Sequence, residues 1–239
     1  MFLTIGGLGD SPLSLCPWHQ ELKATGREYR HIDVQVMGNT VFAHRVETLC
    51  EAIEDTKGCV TLIGQSAGGL AALIAATKYP AKVDGVIAVS PAMPQGISPI
   101  GRPLITVMWR YQWDMWRSKL IDVRVQDYKF LALNGVDPDY SDWLLKFRRS
   151  ISGREALELA TPKLQPELGA LSVPTLIVFG AEDRWVNPSA QEKLFEKICE
   201  RNKKVDRMKI PDAGHLPAHG LDGPFLVSHA LYRLEELNR

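Results

Sequence analysis

The chain has 239 residues, 45% of them hydrophobic and 23% charged, which suits one large α/β domain or one domain with an insertion and allows a sizeable core. Its 28 basic and 28 acidic residues cancel, so the overall balance favours neither nucleic acid nor an anionic membrane as a partner. No stretch approaches the ~20 apolar residues of a membrane span. In chain order, short apolar runs alternate with helical patterns. Strands are expected at residues 2–5, 29–36, 60–63, 83–89, 174–179 and 205–210. Helices are expected at 17–25, 40–56, 67–78, 189–200 and 225–237. Such alternation implies β-α-β units, hence a mostly parallel sheet of about six strands with helices on both faces. Sites in such sheets gather beyond the C-terminal ends of the strands.

The alternation stops in the middle. Residues 91–103 carry Pro91, Pro94, Pro99 and Pro103 with Gly96 and Gly101, a loop-rich exit from the sheet. An aromatic-dense stretch follows at 105–117, and residues 141–149 and 153–159 read as helical. The expectation is a largely helical cap at 93–171, inserted between core halves at 1–92 and 172–239. The four cysteines, Cys16, Cys50, Cys59 and Cys199, form no C-x-x-C pair, and no Cys/His cluster has zinc spacing. Free thiols and no metal are expected. The run after Met1 is too short for a signal peptide and lacks a basic start, so a cytoplasmic location is expected.

Gly64-Gln65-Ser66-Ala67-Gly68 ends the run Cys59–Ile63 and opens the pattern of the helix at 67–78. A strand, a tight turn and a helix put the Ser66 hydroxyl at an exposed apex, with glycines where the flanking chain must pass closely. The Ala67 N–H then lies at a helix N-terminus, where negative charge is stabilised. The pattern is short enough to occur by chance, and the strand–turn–helix context is what gives it weight.

A serine needs a base, and the base needs an acid to fix its tautomer. Of six histidines, His215 follows the last strand in Ala213-Gly214-His215, on the same edge of the sheet as Ser66. His219 reads as a solvated or capping histidine. Gly180-Ala181-Glu182-Asp183 follows the strand at 174–179, with Asp183 as the acid and Glu182 in reserve. Asp212 is too close in sequence to reach around the His215 ring.

With Ser66, Asp183 and His215 in this order, the chain resembles the α/β-hydrolase family over nearly its full length apart from the cap. The resemblance implies a second oxyanion donor on the loop after the first strand, here the N–H of Leu8 paired with that of Ala67. That loop reads Gly6-Gly7-Leu8-Gly9-Asp10, with a glycine where many members carry histidine, and Gln65 replaces the His that often precedes the nucleophile. The first strands of the full family sheet are not seen. Pro12 stands where a dinucleotide loop would need its third glycine, which argues against nucleotide binding.

The expected function is hydrolysis of a small or medium carboxylic ester with an apolar portion, through an acyl-enzyme and without cofactor. A small molecule is the expected partner. Thioesterase, lactonase, C–C bond hydrolase or acyltransferase chemistry fits the same residues, and a ligand-binding protein on a hydrolase scaffold is the non-enzymatic alternative. Trp109, Trp113 and Trp116 recur at helical spacing. The plainer reading packs this stripe onto the sheet, as aromatic stripes usually pack. The functional reading lets Trp109, Trp113, Met108 and Trp185 line an apolar substrate pocket. Arg148, Arg149 and Arg154 read as solvated surface, with a grip on a substrate carboxylate as the alternative.

Overall fold

The computed structural model describes residues 1–161, 168–220 and 222–239. The first part runs β1 (Phe2–Ile5), α1 (Cys16–Ala24), β2 (Tyr29–Ile32), α2 (Phe42–Glu54), β3 (Val60–Gln65), α3 (Ala67–Lys78) and β4 (Val83–Val89). Short pieces follow: α4 (Arg102–Met108), α5 (Gln112–Trp116), β5 (Leu120–Ile121), α6 (Val125–Ala132), α7 (Pro138–Phe147), β6 (Ile151–Ser152) and α8 (Gly153–Ala160). The chain returns with β7 (Thr175–Gly180), α9 (Pro188–Cys199), β8 (Val205–Ile210) and α10 (Gly223–Asn238).

Six strands pair in parallel in the order β2-β1-β3-β4-β7-β8. Successive side chains on a strand point to opposite faces, and both faces are covered over the central strands β3, β4 and β7, which are therefore largely apolar, whereas the edge strands β2 and β8 carry polar and charged residues. Leu62, Val86, Ala88, Ile177 and Phe179 pack toward α2, α3 and α9, while their neighbours Ile63, Ile87, Val89, Leu176 and Val178 pack toward α1 and α10. The order reverses between β1 and β3, so the loops after these two adjacent strands open the crevice where ligands bind in doubly wound sheets.

Two strand ends differ from expectation for one reason: a strand lasts only as long as its partner. β2 stops at Ile32 because it pairs Ile5, the last residue of β1, before the chain turns at Gly6. β3 extends to Gln65 because β4 reaches it with Val89. The helix expected at 141–149 begins earlier, at Pro138, where the Asp137 carboxylate accepts the Asp139 N–H and caps it.

The pieces between β4 and β7, called the cap for their place in the chain, enclose an apolar cluster of their own. Leu104, Val107, Tyr111 and Met115 meet Ile121, Val123, Tyr128, Leu131 and Leu144 there. The expected limits of 93–171 include residues 162–167, which lie outside the described residues. A buried ion pair ties the cap to the core: Arg45 of α2 donates to Glu155 of α8 from Nε at 2.7 Å and Nη2 at 3.1 Å. Arg45 Nη1 also donates to the Gly6 carbonyl at 2.8 Å, so one guanidinium joins α8 to the loop after β1. No helix among the described residues is long and apolar enough to cross a membrane.

Candidate active site

Ser66 sits between β3 and α3 with φ 55° and ψ −119°. A non-glycine residue at positive φ costs about 1–3 kcal/mol and persists only where its surroundings over-determine it. They do so here. The Ser66 N–H donates to Val89 O at 2.8 Å, and the Ser66 carbonyl accepts from the N–H groups of Gly69 and Ala92, both at 2.9 Å. The elbow glycines are sterically required. A Cβ on Gly64 would lie 2.3 Å from the Gly68 oxygen, and one on Gly68 would lie 2.4 Å from the Ile5 oxygen.

Gly7, on the loop after β1, presses against the nucleophile position, since a Cβ there would come within 2.6 Å of Ser66 Cβ. The loop therefore runs beside the elbow. The backbone N–H groups of Leu8 and Ala67 have no acceptor among the described residues. Both are free to receive a developing negative charge next to Ser66.

The loops after β7 and β8 bring Asp183 and His215 together. His215 Nδ1 and Asp183 Oδ2 are 2.9 Å apart, both side chains buried. The other carboxylate oxygen, Oδ1, accepts the N–H groups of Trp185 at 2.8 Å and Val186 at 2.9 Å, which orients the acid. Burial works against the imidazolium of His215, but the charge and hydrogen bond of Asp183, with the Asp10 carboxylate, outweigh it and hold the pKa above its ordinary value. The indole of Trp185 stacks on the imidazole, with centroids 5.7 Å apart. Gln65 Nε2 donates to the His215 carbonyl at 2.9 Å, so the residue before Ser66 fixes the backbone that carries the histidine. Among the described residues Ser66 Oγ makes no hydrogen bond. Contacts of a nucleophile with its base often tighten only when substrate is bound.

The remaining candidates lie elsewhere. Glu182 and Asp212 are exposed. His219 is buried rather than solvated: Nε2 meets Ser14 O at 2.8 Å, and burial pushes its pKa down. Arg149 pairs with Asp33, Arg154 with Glu158 and Arg148 with Asp122.

Ser66 opens onto a cleft whose walls include Leu8, Ala92, Leu104, Met108, Leu159 and Trp185. Met108 and Trp185 are among the residues that line this cleft. Trp109 and Trp113 are not: they are 72% and 63% exposed and point away from the cleft, as does Trp116 at 71%. The stripe packs neither onto the sheet nor into the pocket. The reason is phase. The chain turns at Trp109–Tyr111 between α4 and α5, and the inward positions are taken by Leu104, Val107, Tyr111 and Met115, which leaves the three indoles on the outer side.

Asp10 was not among the expected site residues. Its Oδ2 accepts the Gly7 N–H at 2.7 Å and closes the turn that places Leu8. Desolvation raises its own pKa, against the Gly7 hydrogen bond and the nearby His215 and Arg45 charges. The sequence signal was present as an aspartate three residues after Gly7, the spacing at which such side chains bond backbone N–H groups in turns.

A serine at a strained strand-to-helix elbow, with an acid–histidine pair on the following strand ends of a doubly wound sheet, defines the class of α/β-hydrolases. The sequence matches the family described as "Serine aminopeptidase, S33" over residues 36–215. The chain belongs to this hydrolase family, and it is an α/β-hydrolase enzyme. No curated protein sequence matches it. Solved structures share the fold at low identity. A monoacylglycerol lipase from Paleococcus ferrophilus superposes with TM-score 0.71 at 19% identity, covering 99% of this chain and 93% of that one. An esterase from Rhodococcus sp. gives 0.71 at 18%, covering 99% and 90%. A methylesterase from Arabidopsis gives 0.70 at 16%, covering 98% of both chains.

Proposed function

We propose that the protein hydrolyses carboxylic esters with an apolar acyl or alcohol portion, with Ser66 as nucleophile, His215 as general base and Asp183 as its orienting acid. The observation that carries this reading is the Asp183–His215 pair, set by Gln65 and Trp185 beside a serine that opens into an apolar cleft. His215 Nε2 takes the Ser66 proton as Oγ attacks the substrate carbonyl. The oxyanion is held by the N–H groups of Leu8 and Ala67, and each such donor is worth about 10²–10³ in turnover. The imidazolium then protonates the leaving alcohol. In the second half His215 draws a proton from water, whose hydroxide attacks the acyl-Ser66 carbonyl; His215 then returns that proton to Ser66 Oγ as the acyl–oxygen bond breaks and the acid leaves. The steps need only these side chains and water.

The family description names an aminopeptidase, whereas the cleft favours an ester. An aminopeptidase must hold a substrate ammonium, and a carboxylate does this best. Among the described residues that line the cleft there is no Asp or Glu, and Ser66 is the only polar side chain. Polyneuridine aldehyde esterase, which shares the fold, is named for ester cleavage. Ser66→Ala should lower turnover of p-nitrophenyl esters by about 10⁶-fold and abolish labelling by a fluorophosphonate. Near-wild-type esterase activity in that variant would exclude the assignment. A chain-length series of esters set against acyl thioesters and aminoacyl amides separates the ester reading from its neighbours.

A further inference from the structure

Three of the six tryptophans stand in water on one helix–turn–helix. Single exposed apolar residues are ordinary, but Trp109, Trp113 and Trp116 fall within eight residues, and Ile105 and Leu120 beside them are also exposed. Trp113 and Trp116 pack edge to face, with centroids 6.1 Å apart, so the rings form a surface rather than isolated points. Cations flank them. Residues 100–120 hold four basic residues and one acidic residue in a chain whose charge is otherwise balanced. Arg110 is engaged by Asp127. Arg102, Arg117 and Lys119 are exposed and pair with no carboxylate among the described residues.

We infer that the outer face of α4–α5, with its three indoles between Arg102, Arg117 and Lys119, docks the enzyme onto an anionic lipid surface. Indole rings settle at the boundary between headgroups and acyl chains, and arginine and lysine reach lipid phosphates while their stems lie along apolar surface. The zero net charge of the chain conceals this local excess. A second copy of the chain fits the face poorly. A two-fold contact would set the cations near their own copies, with only the half-buried Asp114 to answer them. The location also has a use. Leu104 and Met108, on the inner side of α4, line the cleft above Ser66, while Ile105 and Trp109 face outward from the same helix. Docking brings the cleft to the edge of an apolar phase, from which an apolar ester can enter. That benefit rests on the ester reading; the docking itself does not.

The test is co-sedimentation of the full chain with phosphatidylcholine vesicles, with and without phosphatidylserine. Binding is expected with phosphatidylserine, weakening as salt is raised. Replacing Trp109, Trp113 and Trp116 together by Ser should weaken it about tenfold or more. Replacing Arg102, Arg117 and Lys119 by Gln should weaken it by roughly a hundredfold, at about fivefold per lost charge. Both variants should keep wild-type turnover of a water-soluble ester, which shows that they fold. Ser66→Ala should bind vesicles like the wild type, so failure of the ester reading leaves this result unaffected. The inference is overturned if the wild type does not bind, if it binds neutral and anionic vesicles alike, or if the indole face instead mediates self-association that the Trp variants lose.

Discussion

The elbow after β3 and the outer face of α4–α5 each violate an ordinary preference, and they are compensated differently. Ser66 is strained in its backbone, with φ 55°, and every neighbour enforces that strain: Val89 and Ala92 by hydrogen bonds, Gly64, Gly68 and Gly7 by leaving no room elsewhere. Trp109, Trp113 and Trp116 have ordinary helical surroundings but expose large apolar rings to water, and nothing among the described residues offsets this. The first violation is complete within one molecule; the second asks for something outside it. The strand ends are therefore expected to govern chemistry for every substrate alike, while the cap governs stability, access and placement.

The sharpest way to break this division is Asp183→Asn. The change keeps the shape but leaves His215 in the wrong tautomer and without its counter-charge, so kcat should fall by about 10⁴. Esters of all chain lengths should suffer equally. A loss confined to long-chain substrates would mean that the strand ends also select, and the division would fail.

Next in size is the clamp between the regions. Glu155→Ala leaves the Arg45 guanidinium buried without its charge partner, which costs about 3–5 kcal/mol. The melting temperature should drop by roughly 6–20 °C, while the surviving folded enzyme keeps most of its kcat. Replacing both partners together, Arg45→Met with Glu155→Leu, should recover much of the stability, because a matched apolar pair avoids the desolvation penalty. If the double variant is no more stable than the single one, the bond from Arg45 to Gly6 outweighs the ion pair.

The same contrast explains what the sequence made legible. Apolar runs on β3, β4 and β7 must be buried on both faces, and a serine between glycines at a strand end has few alternatives, so the sheet and the elbow were readable from local pattern. Asp183 and His215 were readable because each follows a strand in a fixed order. The cap was not readable in this way. The period of Trp109, Trp113 and Trp116 describes one face of a helix but not which face, and Leu104, Val107, Tyr111 and Met115 supply a competing inward stripe of similar spacing. The clamp of Arg45 to Glu155 joins residues more than a hundred positions apart, which no local pattern reveals. Asp10 lay in a turn whose glycines drew attention to its backbone rather than to its carboxylate.

Asp10 gives the smallest effect, and the one that tests how closely charge is tuned at the strand ends. Asp10→Asn retains an oxygen for the Gly7 N–H but removes a negative charge that raises the pKa of His215. In the proposed mechanism only the neutral imidazole accepts the Ser66 proton, so kcat/KM should rise with pH as His215 deprotonates. Removing a cause that raises this pKa lowers it, and the acid limb of the profile should move to lower pH. Stability should change in the same region. A histidine whose pKa is raised on folding stabilises the fold at low pH, and the benefit is lost as pH rises through the folded value. Asn also removes a carboxyl whose own pKa burial raises, and that burial cost grows as pH rises, so the variant should gain stability relative to the wild type with increasing pH. Asp10→Ala also releases Gly7 and should lower kcat at all pH values. An acid limb that stays in place in Asp10→Asn while kcat falls as in Asp10→Ala would make Asp10 a structural brace for the Leu8 turn, with no electrostatic part in setting the base.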